Sequence, residues 1–270
     1  DRRGAFAGIA FGLPFVRKPA GPLLAEQRLL PGDTPEFLCG AGDRVRPFAI
    51  DTGTSMTTVS HSFAAELEVL ATQPAGEAID AAGRRLHVEV GSLTRFTVGD
   101  IELGTTPVRG VLGLDLLAVF RFTIDPERGS VVLELPRGLP EAESVQCVRV
   151  EGRCLVPVFV EGARLWFVLD TGASHSSLTS AGVDALPGGA GRAVPSFRRV
   201  RTVGGGLVAV REVKDLVLRC SDVRFQGVTL PVVPRGASAL FPVHGVLGID
   251  LLGRCRMTLD RGRAQLQAVR

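Results

Sequence analysis

Two blocks of the sequence occur twice, in the same order along the chain. Residues 48–55 read FAIDTGTS and return at residues 167–174 as FVLDTGAS. Residues 110–117 read GVLGLDLL and return at residues 245–252 as GVLGIDLL. Self-similarity of this kind indicates a duplicated structural unit. The chain is therefore expected to fold as two similar lobes, each containing one copy of both blocks.

The repeats divide the chain into four segments. We assign residues 1–32 to an N-terminal extension, 33–138 to a first lobe, 139–146 to a linker and 147–270 to a second lobe. The linker is inferred from the Pro- and Gly-containing stretch between the two copies. The extension matches neither copy. Three roles stay open for it: a strand beneath the two lobes, a pro-segment, or the remainder of an export signal.

Composition and local pattern both favour strands. The chain contains 33 Gly and 17 Pro, and Val, Thr and Leu recur in short runs, which is typical of short strands joined by tight turns. Few stretches keep an apolar period of 3.6 over three turns, so little helix is expected. We predict an all-β fold. Glycine-tipped hairpins are predicted around Gly83 and Gly205, where they can project over a cleft.

The duplicated Asp-Thr-Gly sequence carries the chemical prediction. Asp51 and Asp170 each end an apolar strand, which delivers the carboxyl group to a rigid, poorly solvated position. Two carboxyl groups held together cannot both ionise easily, so they share a proton over a useful range of pH. The ionised group can take a proton from a water while its partner polarises a scissile carbonyl. Asp115 and Asp250, in the second block, are interpreted as helix caps.

Charge and cysteine usage argue against several other classes. The net charge is +3 and aromatic residues make up 6% of the chain, so nucleic acid is not an expected partner. The five cysteines form no C-x-x-C pair and the four histidines lack ligand spacing, which argues against a metal site. One or two disulfides remain open. No apolar run is long enough to cross a bilayer, and the proposed chemistry needs no cofactor.

These residues resemble the aspartic peptidases of the retropepsin-like and pepsin-like groups, and the bacterial members most closely. The resemblance covers roughly residues 33–270. It implies two closed β-barrel-like lobes with a cleft between them, and aspartic endopeptidase activity on protein or peptide substrates. It implies that Asp51 and Asp170 are catalytic and that a glycine-tipped hairpin closes over the substrate. The residues implied to support the catalytic loops are Thr52, Gly53, Thr54, Thr171, Gly172 and Ala173.

The two loops differ three positions after the aspartate, where one has Thr54 and the other Ala173. Pepsin-like enzymes usually have a hydroxyl residue there, and retropepsins usually have Ala. If Thr54 hydrogen-bonds the outer oxygen of Asp51, it favours the ionised form and lowers the pKa of that carboxyl. We therefore expect Asp51 to carry more of the negative charge and Asp170 to be protonated more often. The chain contains no Tyr, so closure of the hairpins must rely on backbone and small residues.

Two alternatives to an enzyme that works as a single chain stay open. A duplicated fold without activity would bind an extended peptide in the cleft without cutting it. A working site could also form between two chains, although the short linker favours pairing within one chain, and hence a monomer, through effective concentration. The sequence starts at Asp1 without an initiator methionine, which favours trimming and a periplasmic or secreted location.

Overall fold

The computed structural model describes residues 8–10, 23–28, 35–41, 44–60, 64, 70–79, 85–92, 95–98, 101–104, 110–201, 207–233 and 242–269. Within these ranges the chain is built mainly from short β-strands. The helices whose two ends are described are α1 (Leu114–Leu117), α2 (Ser180–Asp184) and α3 (Ile249–Leu252). The predictions of an all-β fold and of little helix are confirmed.

The strands follow one another closely along the chain. The first twelve are β1 (Gly8–Ala10), β2 (Leu23–Arg28), β3 (Glu36–Ala41), β4 (Arg44–Ile50), β5 (Thr58–Ser60), β6 (Leu70–Ile79), β7 (Arg85–Ser92), β8 (Arg95–Val98), β9 (Ile101–Gly104), β10 (Gly110–Leu112), β11 (Arg121–Asp125) and β12 (Ser130–Glu134). The next eleven are β13 (Val145–Gln146), β14 (Val148–Val150), β15 (Arg153–Val160), β16 (Ala163–Leu169), β17 (Ser177–Thr179), β18 (Val194–Arg201), β19 (Leu207–Cys220), β20 (Val223–Val233), β21 (Gly245–Leu247), β22 (Cys255–Asp260) and β23 (Arg263–Ala268).

The first lobe is a nine-stranded sheet in the order β6-β7-β1-β5-β10-β4-β3-β8-β9. Its strand β4 alternates, because Phe48 and Ile50 are fully buried while Pro47 is exposed. This period of two places alternate side chains in the core. Strand β10 lies parallel to β4, with Leu112 opposite Ile50. The first repeated block therefore ends beside the second one.

The second lobe repeats this arrangement in an eight-stranded sheet, β14-β15-β16-β21-β17-β20-β19-β18. Strand β15 also pairs with β19, so six strands close into a ring: β15, β16, β21, β17, β20 and β19. A closed sheet of this size is filled by its own side chains, and Phe167 and Leu169 of β16 are fully buried. Strand β21 lies parallel to β16, with Leu247 opposite Leu169.

A third sheet, β13-β23-β22-β11-β12-β2, joins the two lobes. The joining pair is β11 of the first lobe with β22 of the second, in which Thr123 lies opposite Thr258. The two Thr hydroxyls form a buried hydrogen bond of 3.0 Å. Two ion pairs cross this junction in matching positions: Arg121–Asp260 at 3.4 Å and Arg256–Asp125 at 3.6 Å. The lobes are therefore related by an approximate twofold arrangement around this strand pair.

The N-terminal segment contributes strands to two of the sheets. Strand β2 pairs with β12 at the edge of the joining sheet, and β1 lies between β7 and β5 of the first lobe. The described parts of residues 1–32 are therefore added strands of these sheets. The segment assigned as a linker is also ordered, with a 3-10 turn at Glu141–Glu143 and strand β13 paired to β23.

Candidate active site

Both Asp-Thr-Gly loops begin where a buried strand ends against a parallel neighbour. The backbone N–H of Asp51 donates to the carbonyl oxygen of Leu112 at 3.1 Å. The N–H of Asp170 donates to the carbonyl oxygen of Leu247 at 3.0 Å. Both acceptors belong to the Gly-Val-Leu-Gly blocks. The second repeated block of each lobe therefore holds the aspartate of that lobe's Asp-Thr-Gly loop in place. This explains why the two blocks recur together.

The two loops are joined by a reciprocal exchange of hydrogen bonds between threonines. The Thr52 hydroxyl donates to the carbonyl oxygen of Leu169 at 2.9 Å and accepts from the N–H of Thr171 at 3.1 Å. The Thr171 hydroxyl donates to the carbonyl oxygen of Ile50 at 2.5 Å and accepts from the N–H of Thr52 at 3.1 Å. Both threonines are fully buried. Four hydrogen bonds shielded from water therefore set the spacing of the loops.

Each aspartate is held by the backbone of its own loop. One carboxyl oxygen, Oδ1, accepts two backbone N–H groups in each case. These bonds are Gly53 N to Asp51 Oδ1 at 2.8 Å, Thr54 N to Asp51 Oδ1 at 3.1 Å, Gly172 N to Asp170 Oδ1 at 3.0 Å and Ala173 N to Asp170 Oδ1 at 2.9 Å. A carboxylate anchored by two N–H donors has one orientation.

The glycine of each loop packs against the aspartate of the other. A Cβ placed on Gly53 would collide with the Asp170 carboxyl group, and a Cβ on Gly172 would collide with that of Asp51. The position therefore accepts only glycine, because of close approach. The two carboxyl groups are near enough to share a hydrogen bond. The structure thus brings Asp51 and Asp170 together from positions far apart in the sequence.

The pKa values of the two carboxyl groups are both raised, for partly different reasons. Burial raises the pKa of Asp170 to about 8, and the neighbouring Asp51 charge adds to this effect. Burial also raises the pKa of Asp51, but the hydrogen bond from Asp170, the two loop N–H groups and the charge of Arg153 all lower it. The hydrogen bond between the two groups thus acts in opposite directions, lowering the pKa of Asp51 and raising that of Asp170.

Arg153 reaches the first loop from the second lobe. It follows the Glu151–Gly152 turn between β14 and β15, whose two residues have positive φ angles of 51° and 76°. This turn packs on the first loop so closely that a Cβ on Gly152 would lie 2.5 Å from Cβ of Ser55. The guanidinium thus stabilises the ionised form of Asp51 across the lobe boundary. Sequence reasoning missed this residue, because nothing near Asp51 in the chain signals it.

The expected bond between Thr54 and Asp51 is replaced by another. The Thr54 hydroxyl donates to the carbonyl oxygen of Met56 at 3.3 Å, and its contact with Asp51 is through the backbone N–H. The turn that begins at Asp51 points the hydroxyl along its own loop, which is why the side chain does not reach the carboxyl group. The charge of Arg153 lowers the pKa of Asp51, whereas the Thr54 hydroxyl bonds elsewhere. The unequal charge of the two aspartates stays a prediction.

A second set of hydrogen bonds connects each Asp-Thr-Gly loop to the short helix after its Gly-Val-Leu-Gly block. Asp115 accepts hydrogen bonds from the N–H and hydroxyl of Thr57, at 2.9 and 2.7 Å, and the Thr57 hydroxyl accepts from the N–H of Gly113 at 2.9 Å. Asp250 and Ser176 repeat these bonds in the second lobe, at 2.8 and 2.6 Å. Sequence reasoning missed Thr57 and Ser176, although each lies six residues after its aspartate.

The interpretation of Asp115 and Asp250 as helix caps was wrong. The N-cap positions belong to Gly113 and Gly248, neither of which makes a side-chain cap, and both aspartates lie in the first helical turn. Each carboxylate still accepts the N–H of the residue that follows it, at 2.9 Å. Their hydrogen bonds to the loop residues make them braces of the site, and those bonds depend on the tertiary fold.

For the two hairpins predicted to cover the substrate, the structure describes the paired strands. Strands β6 and β7 form the first hairpin and β18 and β19 the second, all antiparallel. The tips, with Gly83 and Gly205, lie outside the described residues. Ala173, the remaining predicted loop residue, contributes its N–H to Asp170 as given above. His175, five residues past Asp170, is exposed.

The described residues also bear on metal binding and on membrane insertion. No group of three or more His, Cys, Asp or Glu side chains in these ranges is arranged to hold a metal ion. No helix within the same ranges combines the length and apolar character needed to span a membrane.

Comparisons with known proteins identify the family of this chain and solved structures with a similar fold. The family model described as "Aspartyl protease" matches residues 39–116 and 156–251, well over half of the chain. The aspartic proteinase from Irpex lacteus superposes with a TM-score of 0.50 at 11% identity, covering 92% of this chain and 97% of that one. The EIAV protease complexed with the inhibitor HBY-793 has a TM-score of 0.29 at 24% identity, covering 39% of this chain and 89% of that one. No curated protein matches the sequence.

The likeness to the Irpex lacteus enzyme concerns the fold, since the identity is 11%. The family match adds sequence information at the two sites themselves. Each matched segment contains one Asp-Thr-Gly loop and one complete Gly-Val-Leu-Gly sequence. The internal duplication, the paired loops and the family match agree on one conclusion: the chain belongs to the aspartyl protease family.

Proposed function

We propose that this chain is an endopeptidase that hydrolyses peptide bonds with a water activated between Asp51 and Asp170. The observation that carries the proposal is the contact of two half-buried carboxyl groups on loops joined by the Thr52–Thr171 exchange. Two such groups with unequal pKa values provide a general base and a general acid in one place. Membership of the aspartyl protease family supports the same class of reaction.

The roles of the two carboxyl groups follow from their surroundings. Asp51, favoured in its ionised form by the hydrogen bond from Asp170, by two N–H donors and by Arg153, takes a proton from the water as the water oxygen attacks the peptide carbonyl carbon. Asp170, which keeps the shared proton, donates it to the carbonyl oxygen, and a tetrahedral diol forms. Asp51 then passes its proton to the amide nitrogen, Asp170 takes back a diol proton, and the C–N bond breaks. Both groups return to their starting states.

We propose that a single chain forms the complete site. The two loops exchange hydrogen bonds within one chain, and β11 pairs with β22 in the sheet that joins the lobes. If lobes of different chains paired instead, the β11–β22 pairing within one chain would have to be broken. Sedimentation of the active protein tests the inference, since cleavage activity should travel with the monomer. Activity confined to dimers would overturn it.

The test of the function is cleavage of a peptide library from pH 3 to pH 8, analysed by mass spectrometry. We expect cleavage that pepstatin inhibits and that Asp51→Asn removes. If the wild-type chain cuts nothing across this range but retains peptides, it acts as the peptide-binding module left open by the sequence. Cleavage that persists in Asp51→Asn would assign the activity to another site or to a contaminant.

The pH dependence of cleavage should show a fall in kcat/KM centred near pH 8. The reaction needs Asp51 ionised and Asp170 protonated, so the rate rises through the pKa of Asp51 and falls through that of Asp170. The second of these is raised to about 8 by burial and by the Asp51 charge. A pH profile of kcat/KM on one cleaved peptide measures it. A loss of activity already complete by pH 5 would contradict the assignment.

Arg153→Gln should move the acidic limb of the same profile to higher pH. Removing the positive charge takes away one of the effects that lower the pKa of Asp51. The group would then ionise at a higher pH, and a shift of about 0.5–1 unit is expected for a nearby charge in a partly solvated site. Arg164→Gln is the matched control, because this exposed side chain stacks on Trp166 instead. An unchanged acidic limb in Arg153→Gln would exclude the electrostatic role.

A further inference from the structure

Four of the five cysteines lie in the part of the chain that follows the first lobe. All five are buried, and none of them is in a disulfide. Cys39 lies in β3 of the first lobe. The others lie at or next to the ends of strands of the second lobe and the joining sheet: Cys147, Cys154, Cys220 and Cys255. The established family chemistry uses none of them, so their grouping has no explanation in the active site.

Cys147 and Cys154 lie on the two sides of the turn that joins β14 and β15. Cys147 immediately precedes β14, and Cys154 is the second residue of β15, opposite Arg149. The hairpin therefore brings these two residues near each other in space. The two thiols are near neighbours, since the Cys154 side chain raises the pKa of the Cys147 thiol. Both also line one cavity of about 20 Å³.

The other thiols are arranged differently. The Cys255 thiol points at the carbonyl oxygens of Leu251 and Leu252, at 3.8 and 3.3 Å. Burial and the neighbouring Cys255 and Cys154 thiols raise the pKa of the Cys220 thiol. Both reach this region from strands distant in sequence. Cys147 and Cys154 are joined instead by a single tight turn, which keeps their effective concentration high in the unpacked chain as well.

We propose that Cys147 and Cys154 are a disulfide-forming pair, which closes when the chain folds in the presence of a low-molecular-weight disulfide such as oxidised glutathione. One thiolate attacks a glutathione sulfur and releases one reduced glutathione. The second thiolate then attacks the protein sulfur of the mixed disulfide and releases the other. Two protein thiols are oxidised, one small disulfide is reduced to two thiols, and the two thiol protons pass to the glutathiones.

Burial determines when this bond forms. The neighbouring Cys154 side chain and burial both raise the pKa of the Cys147 thiol, so its thiolate is scarce in the packed protein. The exchange therefore takes place before the hairpin packs against the first lobe, where Leu114 and Phe120 line the same cavity. Afterwards the same packing protects the bond from reductants. Cys39, Cys220 and Cys255 remain thiols.

The bond would tie the two strands of a hairpin that touches the candidate active site. The Glu151–Gly152 turn of this hairpin packs on Ser55 of the first loop, and Arg153 follows it directly. A disulfide at the base of the hairpin restricts the unfolded chain and holds the turn in register. The inference itself does not depend on peptidase activity, since its readouts are covalent structure and thermal stability.

Peptide mapping tests the proposal directly. The full chain is refolded in a buffer of reduced and oxidised glutathione, alkylated and digested with trypsin. Cleavage after Arg137, Arg149, Arg153 and Arg164 puts the two cysteines in separate peptides, residues 138–149 and 154–164. We expect these two peptides to appear linked, with a mass two hydrogens below their sum. Reduction before alkylation should separate them.

Two variants and one melting experiment complete the test. Cys147→Ser should abolish the linked species, whereas Cys220→Ser, a matched change at another buried thiol, should retain it. The Tm of the oxidised wild-type chain should lie about 5 °C above that of the reduced chain, and this difference should vanish in Cys147→Ser. Fully alkylated Cys147 and Cys154 peptides in the oxidised wild-type chain, or Cys154 linked to the peptide 220–224, would overturn the proposal.

Discussion

Asp51→Asn and Asp170→Asn are each expected to lower kcat/KM for peptide cleavage by about 10²–10⁴-fold while the fold stays intact. Asparagine at either position can still accept the two loop N–H groups that each Oδ1 accepts now. It cannot take a proton from the water or donate a carboxylic proton to the carbonyl. Steady-state cleavage of one identified peptide, with thermal unfolding as the check on folding, measures the effect.

The matched control for this prediction is Asp222→Asn. Asp222 is exposed in the turn between β19 and β20, so the same chemical change is made away from the paired loops. Its cleavage rate should equal that of the wild-type chain. Near wild-type cleavage by both loop variants would remove the two carboxyl groups from the mechanism. A double Asn variant should be no slower than the slower single variant, because the two groups act as one unit.

Thr52→Val is expected to reduce the free energy of unfolding by about 2–5 kcal/mol and to lower cleavage as well. The substitution keeps the shape of the side chain but removes the hydroxyl that bonds the Leu169 carbonyl and the Thr171 N–H. Both groups are buried, and each one left unsatisfied costs about 1–3 kcal/mol. The loops would also lose half of the bonds that set their spacing. Denaturant unfolding and a peptide assay measure the two effects.

Two controls separate the hydroxyl from other changes at this site. Thr52→Ser keeps the hydroxyl and should recover most of the stability and activity. Thr54→Val removes a hydroxyl from the same loop, but that hydroxyl makes an exposed bond to the Met56 carbonyl. It should cost less than about 1 kcal/mol. If Thr52→Val and Thr54→Val unfold alike, the exchange between the loops is not what holds them together.

Much of the architecture was predictable because the duplication is strong. The two FxxDTGxS blocks and the two GVLGxDLL blocks predicted paired lobes and an all-β fold, both of which are confirmed. The position of the N-terminal strands was not predictable. Strand β2 pairs with β12, about one hundred residues further along the chain, and a six-residue strand has no local signal that names its partner. Pairing of that kind depends on the assembled sheet.

The candidate site was predicted in part for the same reason. Asp51 and Asp170 stand out because each ends an apolar strand inside a repeated motif. The bracing pairs Thr57–Asp115 and Ser176–Asp250 were overlooked, although equal spacing in both lobes could have revealed them. The hydroxyl of Thr54 was misassigned, since a sequence does not determine which way a rotatable side chain turns within a loop.

By itself, the sequence determined that this chain contains two Asp-Thr-Gly loops, each at the end of a buried strand beside its own Gly-Val-Leu-Gly partner. These features are local, and their repetition makes them recognisable in the sequence. The tertiary structure alone decided how the two carboxyl groups differ. Arg153 lies far from Asp51 in the chain, and it acts on that carboxyl group because a turn of the second lobe packs on the first loop. Coulombic interactions follow distance in space, which the order of residues does not state.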